Sequence, residues 1–216
     1  KIAFNLACSW VVADTLGDRS TVLDGPALIT PVGYGKIKVI MQDDAQIAFG
    51  AEHSGHYVFR EFWGADSGML AGLLMLELVA ELHAEGKAFS SILDKPRSGY
   101  FESGEINFQM PAERPGEVVI AEAVKKMRGQ VEHLYVVVDD RVREVDAYPP
   151  EGLELSVDDV RAEAEDWWFC MRKSGTEGGG GGILRLYVEA AGDKALMEGK
   201  RDGLVKLIGP ELRMKH

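Results

Sequence analysis

At 216 residues, 46% of them apolar and 27% charged, the chain is globular in composition and long enough for one large domain or two small ones. Its formal charge of −11 argues against a general binder of nucleic acid or of anionic membrane, yet leaves room for an anionic small ligand in a local basic cleft. Cys8 and Cys170, far apart and without metal spacing, read as free thiols of a reducing, cytoplasmic compartment.

The chain opens at Lys1, without a Met, on "IAFNLA", a short apolar run of buried-strand type, and this start leads us to expect a fragment of something longer. "SWVVADTLGD" then reads as a helix closed by Gly17, "PALIT" as a second strand, and "GYGKIKVIMQDD" as a helix with Ile37, Ile40 and Met41 on one face. "AQIAFGAE" is a third strand. The clearest helix starts at Asp66, carries Met69, Leu70, Leu73, Leu74, Leu76, Leu78 and Leu82, and ends near Gly86. Its run from Met69 to Val79 is shorter than the roughly 18 apolar residues of a membrane span and contains Glu77. "KAFSSILDK" adds a short helix. Alternating strands and helices predict an α/β domain with a mostly parallel sheet over residues 1–98.

"KPRSGYFESG" breaks the rhythm with Pro96, Gly99 and Gly104 and marks a hinge. Beyond it, "EINFQM" alternates as a half-buried strand and "GEVVIAEAVKKMRG" reads as a helix. "HLYVVVDDRVREVDAY" reads as two strands around a turn at Asp139 and Asp140, and "VDDVRAEAEDW" as a short helix. "WWFCMRKSGTE" and "ILRLYVEA" are strands flanking a glycine tract, and Asp193 to Ile208 a final helix. Residues 99–216 are therefore predicted as a small α+β domain with a mostly antiparallel sheet and helices on one face.

Two stretches carry chemistry. In "GAEHSGHY", Glu52, Ser54 and His56 alternate at the end of a predicted strand, where open α/β sheets bind ligands. A carboxylate, a hydroxyl and an imidazole there suit vicinal sugar hydroxyls, and a polar strand-to-helix turn is the competing reading. In "MRKSGTEGGGGG", Arg172, Ser174 and Thr176, with the backbone around Gly175, suit a phosphate; a flexible hairpin loop competes, because the run from Gly178 to Gly182 favours it. Lys36 and Lys38 follow a Gly-rich turn at a helix start, where anions are favoured, although solvated lysines are the better reading of the pattern alone. The five histidines make no metal-ligand pair, and "QDDAQ" and "VDDVRAEAED" read as solvated acidic faces.

Together, "GAEHSGHYVFREFWGADSGML", "SGEIN" at Ser103 to Asn107, and "RKSGTE…LRLYVEA" resemble the α-D-phosphohexomutases, the phosphomannomutases and phosphoglucomutases. The resemblance covers nearly the whole chain and implies the third and fourth of that family's four domains, its C-terminal half. It implies that Glu52, Ser54, His56 and Lys38 bind the sugar, and that Arg172, Ser174, Gly175 and Thr176 bind the phosphate that is not transferred. The family's phosphoserine loop and its Asp-rich Mg²⁺ loop have no counterpart in these residues. The resemblance thus implies no catalytic residue, metal or cofactor in this chain, with Mg²⁺ and a hexose 1,6-bisphosphate belonging to a full-length parent.

The chain alone is therefore expected to be inactive in hexose 1-phosphate to 6-phosphate interconversion. Its expected partners are a phosphosugar and the missing N-terminal half, with no nucleic acid and no membrane. A stand-alone, non-catalytic phosphosugar- or partner-binding module is the alternative. Departures from the family pattern favour it: Ala7 and Trp10 replace basic residues, Tyr34 replaces a His, and the glycine run replaces a Pro after Glu177. Ordering each loose residue of that run costs about 1–2 kcal/mol, so weak phosphate binding is expected.

Overall fold

The computed structural model describes residues 1–17, 19–146, 159–174 and 181–214. The chain forms two compact units, Lys1–Gly99 and Tyr100–His216.

In the first unit, β1 (Ile2–Asn5) lies between β2 (Ala27–Thr30) and β3 (Phe49–Ala51), parallel to both. β4 (Tyr57–Phe59) and β5 (Ala65–Asp66) extend this parallel core with antiparallel pairings, because the β3–β4 connection is a hairpin too short for a crossover. Ser9 caps α1 (Trp10–Leu16) by accepting the Val11 N–H at 3.1 Å. α2 (Tyr34–Asp43) buries Ile37, Ile40 and Met41 against Ala3, Ile47 and Val58. The approach is close enough to need glycine: a Cβ at Gly50 would lie 2.4 Å from Ile37 Cγ2. Arg60 ties the end of α2 to the sheet, its guanidinium donating to the carbonyls of Met41, Asp44 and Ile47.

α3 (Gly68–Ala84), capped by Ser67 on the Leu70 N–H, departs from the sequence pattern. None of its residues is buried, although nine are large and apolar. α4 (Asp94–Gly99) closes the unit. No helix among the described residues is long and apolar enough to cross a membrane.

The second unit carries a sheet of seven strands: β6 (Tyr100–Glu102), β7 (Ile106–Gln109), β8 (His133–Val138), β9 (Arg141–Glu144), β10 (Asp159–Glu163), β11 (Trp167–Ser174) and β12 (Ile183–Ala191). All their pairings are antiparallel. The β8–β9 turn puts Asp139 and Asp140 at φ 50° and 57°, the left-handed pair that a two-residue hairpin needs. α5 (Gly116–Met127) and α6 (Lys194–Ile208) bury Val119, Ile120, Met197 and Leu204 in one core with Phe108, Val136, Phe169 and Leu186.

The predicted short helix in "VDDVRAEAEDW" is strand β10 instead. Asp159, Arg161 and Glu163 are buried there, so this part of the stretch is not a solvated acidic face, whereas Glu165 and Asp166 after it are exposed. Its apolar positions Val160 and Ala162 recur at period two, and pairing with β8 and β11 satisfies its backbone.

Candidate functional site

The stretch with Glu52, Ser54 and His56 is the turn of the β3–β4 hairpin, not a strand extension. Glu52 N donates to His56 O, and Gly55 N donates back to Glu52 O, both at 3.0 Å. The three side chains therefore diverge: Glu52 is buried, Ser54 exposed and His56 half-buried. Glu52 Oε1 accepts from Asn5 Nδ2 at 2.8 Å and from the Gly33 N–H at 2.6 Å. One carboxylate oxygen thus joins the end of β1, the turn entering α2 and the hairpin. Asn5 was not singled out by its sequence. Its Oδ1 accepts from the Ala7 N–H at 3.0 Å and from Cys8 Sγ at 3.3 Å, and its Nδ2 lies 3.4 Å from His53 Nδ1.

His56 Nδ1 lies 2.7 Å from Asp66 Oδ2, while Asp66 Oδ1 accepts from the Tyr57 N–H at 2.8 Å. Tyr34, at a position expected to be a His, stacks on His56 with ring centroids 4.9 Å apart and so reaches the hairpin. Lys38, one turn further along α2, runs past Gly64, its Cγ 3.5 Å from where a Cβ on that glycine would sit. Ala7 and Trp10, at positions expected to be basic, are buried, and the Arg19 guanidinium covers the Trp10 ring at 4.1 Å.

The hydrogen bond to Asp66 raises the His56 pKa above 6.5 and lowers that of Asp66 below 3.8. A raised histidine pKa contributes stability below pH 6.5 and loses it as pH rises through the folded value; the lowered aspartate contributes above pH 3.8 and loses it as pH falls through its own folded value. Both side chains are partly exposed, so the pair contributes under about 1 kcal/mol. We expect the His56 ring protons to titrate by NMR with a midpoint above 6.5, and Asp66→Asn to return it towards the ordinary value. An unchanged midpoint in that variant would remove Asp66 as the cause.

In the second unit, Arg172 and Ser174 share one face of β11, by strand alternation. Register adds what the motif alone did not reveal. Arg172 lies directly opposite Arg185 of β12, and Arg185 opposite Asn107 of β7; on the other side Arg172 pairs with Asp159. One row thus runs Asp159–Arg172–Arg185–Asn107 across four strands. Arg172 Nε is 3.6 Å from Asp159 Oδ1 and Arg185 Nη1 is 3.5 Å from Glu105 Oε2. Both Nε groups and Asn107 Oδ1 are buried without a hydrogen-bond partner among the described residues. Like charges placed directly opposite each other cost stability unless something anionic joins them.

Gly175 and Thr176 lie outside the described residues. The end of the glycine run is held: Gly182 O accepts from Met110 N at 2.9 Å, and a Cβ at Gly181 would lie 2.4 Å from the carbonyl oxygens of Met110 and Pro111. Among the described residues no three His, Cys, Asp or Glu side chains gather as a cation site.

Residues 1–98 match the family model of the phosphoglucomutase/phosphomannomutase α/β/α domain III. The chain is a relative of the phosphohexomutases. It is 31% identical to a phosphomannomutase of Vibrio cholerae over 96% of its own length and 38% of that protein. It is 27% identical to the phosphohexose mutases of Xanthomonas campestris over 96% of its length and 39% of theirs. With a Methanocaldococcus jannaschii phosphomannomutase the identity is 30%, over 92% of this chain and 36% of the relative. The chain therefore spans less than two-fifths of the length of these phosphohexomutase relatives. The mutase names belong to proteins that extend well beyond the aligned region.

Proposed function

We propose that this chain supplies the sugar- and distal-phosphate-binding half of a phosphohexomutase that interconverts hexose 1-phosphate and hexose 6-phosphate. The observation that carries the reading is the Arg172–Arg185 pair, two arginines directly opposed on neighbouring strands near the strand end that leads into "SGT". A phosphate dianion would satisfy both forks and remove their mutual repulsion, with the Ser174 hydroxyl, Gly175 and Thr176 completing the grip. On the first unit both bonds to Glu52 fall on Oε1, which leaves Oε2 for a sugar hydroxyl. Ser54 and His56 offer a hydroxyl and a ring nitrogen on the same hairpin, and Lys38 a cation. Phosphoryl transfer needs a donor phosphate and a neutralising cation. In this reading both come from the part of a phosphohexomutase that these residues do not include, and the chain works in the reducing cytoplasm, where Cys8 and Cys170 stay thiols.

The burial of Ala7 and of Trp10 beneath Arg19 favours a second reading, a non-catalytic phosphosugar- or partner-binding module. An NMR titration with mannose 1-phosphate, glucose 1-phosphate and inorganic phosphate tests the first reading. The sugars should move signals at Ser54 and at Arg172, phosphate only those at Arg172, and the chain alone should turn over neither sugar. Silence at both places would overturn phosphosugar binding and leave the partner-binding module.

A further inference from the structure

β6 and β7 both pair with β12, and Ser103–Glu105 bridges the break between them. Ser103 keeps the ladder satisfied there: its N–H donates to Val188 O at 2.8 Å, and its Oγ accepts from the Val188 N–H at 3.0 Å. Asn107 lies opposite Arg185, and the same register carried two residues further brings Glu105 to Tyr187. The Glu105 carboxylate joins all three neighbours. Its Oε1 accepts from Asn107 Nδ2 at 3.0 Å, while its Oε2 accepts from the Tyr187 hydroxyl and lies 3.5 Å from Arg185 Nη1. Burial, and then the bond to Glu105, push the Tyr187 phenol well above its ordinary pKa, so it stays a donor.

We propose that Glu105 is a positioning residue for phosphate, holding Arg185 by Nη1 so that the edge formed by Nε and Nη2 is presented to the anion. The proposal rests on the phosphate-binding reading of Arg172 and Arg185. A long arginine side chain loses rotamer freedom when it meets a ligand, and a support that fixes it beforehand removes part of that cost. Glu105 suits this role because it is itself fixed from two sides, by Tyr187 across the ladder and by Asn107 from its own segment. The nitrogen it takes is the one that a bidentate grip through Nε does not need. Arg185 Nε is buried without a hydrogen-bond partner among the described residues. The carboxylate at the other end of the row is placed differently: Asp159 approaches Arg172 at Nε, on the edge that an anion would use. Of the two, only Glu105 can support an arginine while the anion is bound through that edge.

Inorganic phosphate titrated into the full chain, followed by calorimetry and by the arginine Nε–H signals in NMR, tests this. In wild type it should shift the signals of both Arg172 and Arg185. Glu105→Ala should weaken phosphate binding about three- to tenfold, the worth of ordering one long side chain on binding. It should also broaden the Arg185 signal and leave that of Arg172 sharp. In an Arg185→Ala background the same substitution should cost no further affinity, which separates positioning from a general loss of structure. Glu105→Gln should recover most of the loss and serves as the second variant if Glu105→Ala folds badly. Its Oε1 still accepts from Tyr187 and Arg185, and its amide donates to Asn107 Oδ1, which has no partner among the described residues. Wild-type arginine signals that ignore phosphate would overturn the phosphate reading and this proposal with it. Phosphate felt at both arginines, with Glu105→Ala binding as tightly as wild type or tighter, would leave that reading standing and overturn the positioning role. An equal loss in the Arg185→Ala background would overturn it too, and would make Glu105 a structural residue.

Discussion

Replacing Arg161 with methionine is expected to lower the unfolding free energy by about 3–5 kcal/mol, the usual cost of breaking one side of a buried ion pair. Arg161 Nε lies 2.5 Å from Glu163 Oε1, and the two side chains are 1% and 5% exposed. Its guanidinium sits 3.8 Å over the Trp168 ring, whose Nε1 donates to Glu189 Oε1 at 2.8 Å. Glu163, Trp168 and Glu189 are directly opposed on β10, β11 and β12, so two buried carboxylates flank the one ring that Arg161 covers. Removing the cation leaves that charge in a low-dielectric setting with less to offset it. Arg161→Met/Glu163→Leu should recover more than half of the loss, because an apolar replacement of the pair needs no desolvation repaid. Urea unfolding followed by tryptophan fluorescence reads both variants. A loss below about 1 kcal/mol in the single variant would show that the pair does not hold the strands.

The second large effect is on binding. Arg172→Ala and Arg185→Ala should each weaken phosphate and hexose-phosphate binding by about 10- to 100-fold, the worth of one charge-assisted hydrogen-bonded contact. Arg172→Lys should fall between, keeping the charge but losing the planar fork. Stability should change less than binding. Removing either arginine relieves a like-charge contact across β11 and β12 but also gives up an ion pair, Arg172 with Asp159 or Arg185 with Glu105, so the two changes to the unliganded protein oppose each other. Calorimetric titration beside thermal melts separates the two effects. An Arg185→Ala variant that melts early in proportion to its lost affinity would make Arg185 a structural residue rather than a binding one.

Much of this architecture is legible in local patterns. The caps Ser9, Ser67 and Asp193 mark the starts of α1, α3 and α6, and the period-two apolar positions of "WWFCMRK" and "ILRLYVE" mark β11 and β12. The alternation that puts Arg172 and Ser174 on one face is equally local. What local patterns missed has non-local causes. "VDDVRAEAED" looks helical and wet because its charges dominate its composition, yet two flanking strands take its backbone bonds and Trp168 and Glu189 enclose its polar side. Glu52 looks like a ligand-facing group by spacing alone, and Asn5 and Gly33, 47 and 19 residues away in sequence, decide which of its oxygens is occupied.

The sequence by itself therefore determined most of the helices and strands, the α/β character of the first half and the α+β character of the second, and which polar stretches deserve a ligand. Those properties follow from interactions within a few residues, where periodicity and capping act. Only the tertiary structure decided that Arg172 stands beside Arg185, that Arg161 is sealed between strands, and that α3 turns an apolar stripe to solvent. Register and burial are set by segments far apart in the chain, and a one-residue slip in either strand would have turned the arginine pair to opposite faces.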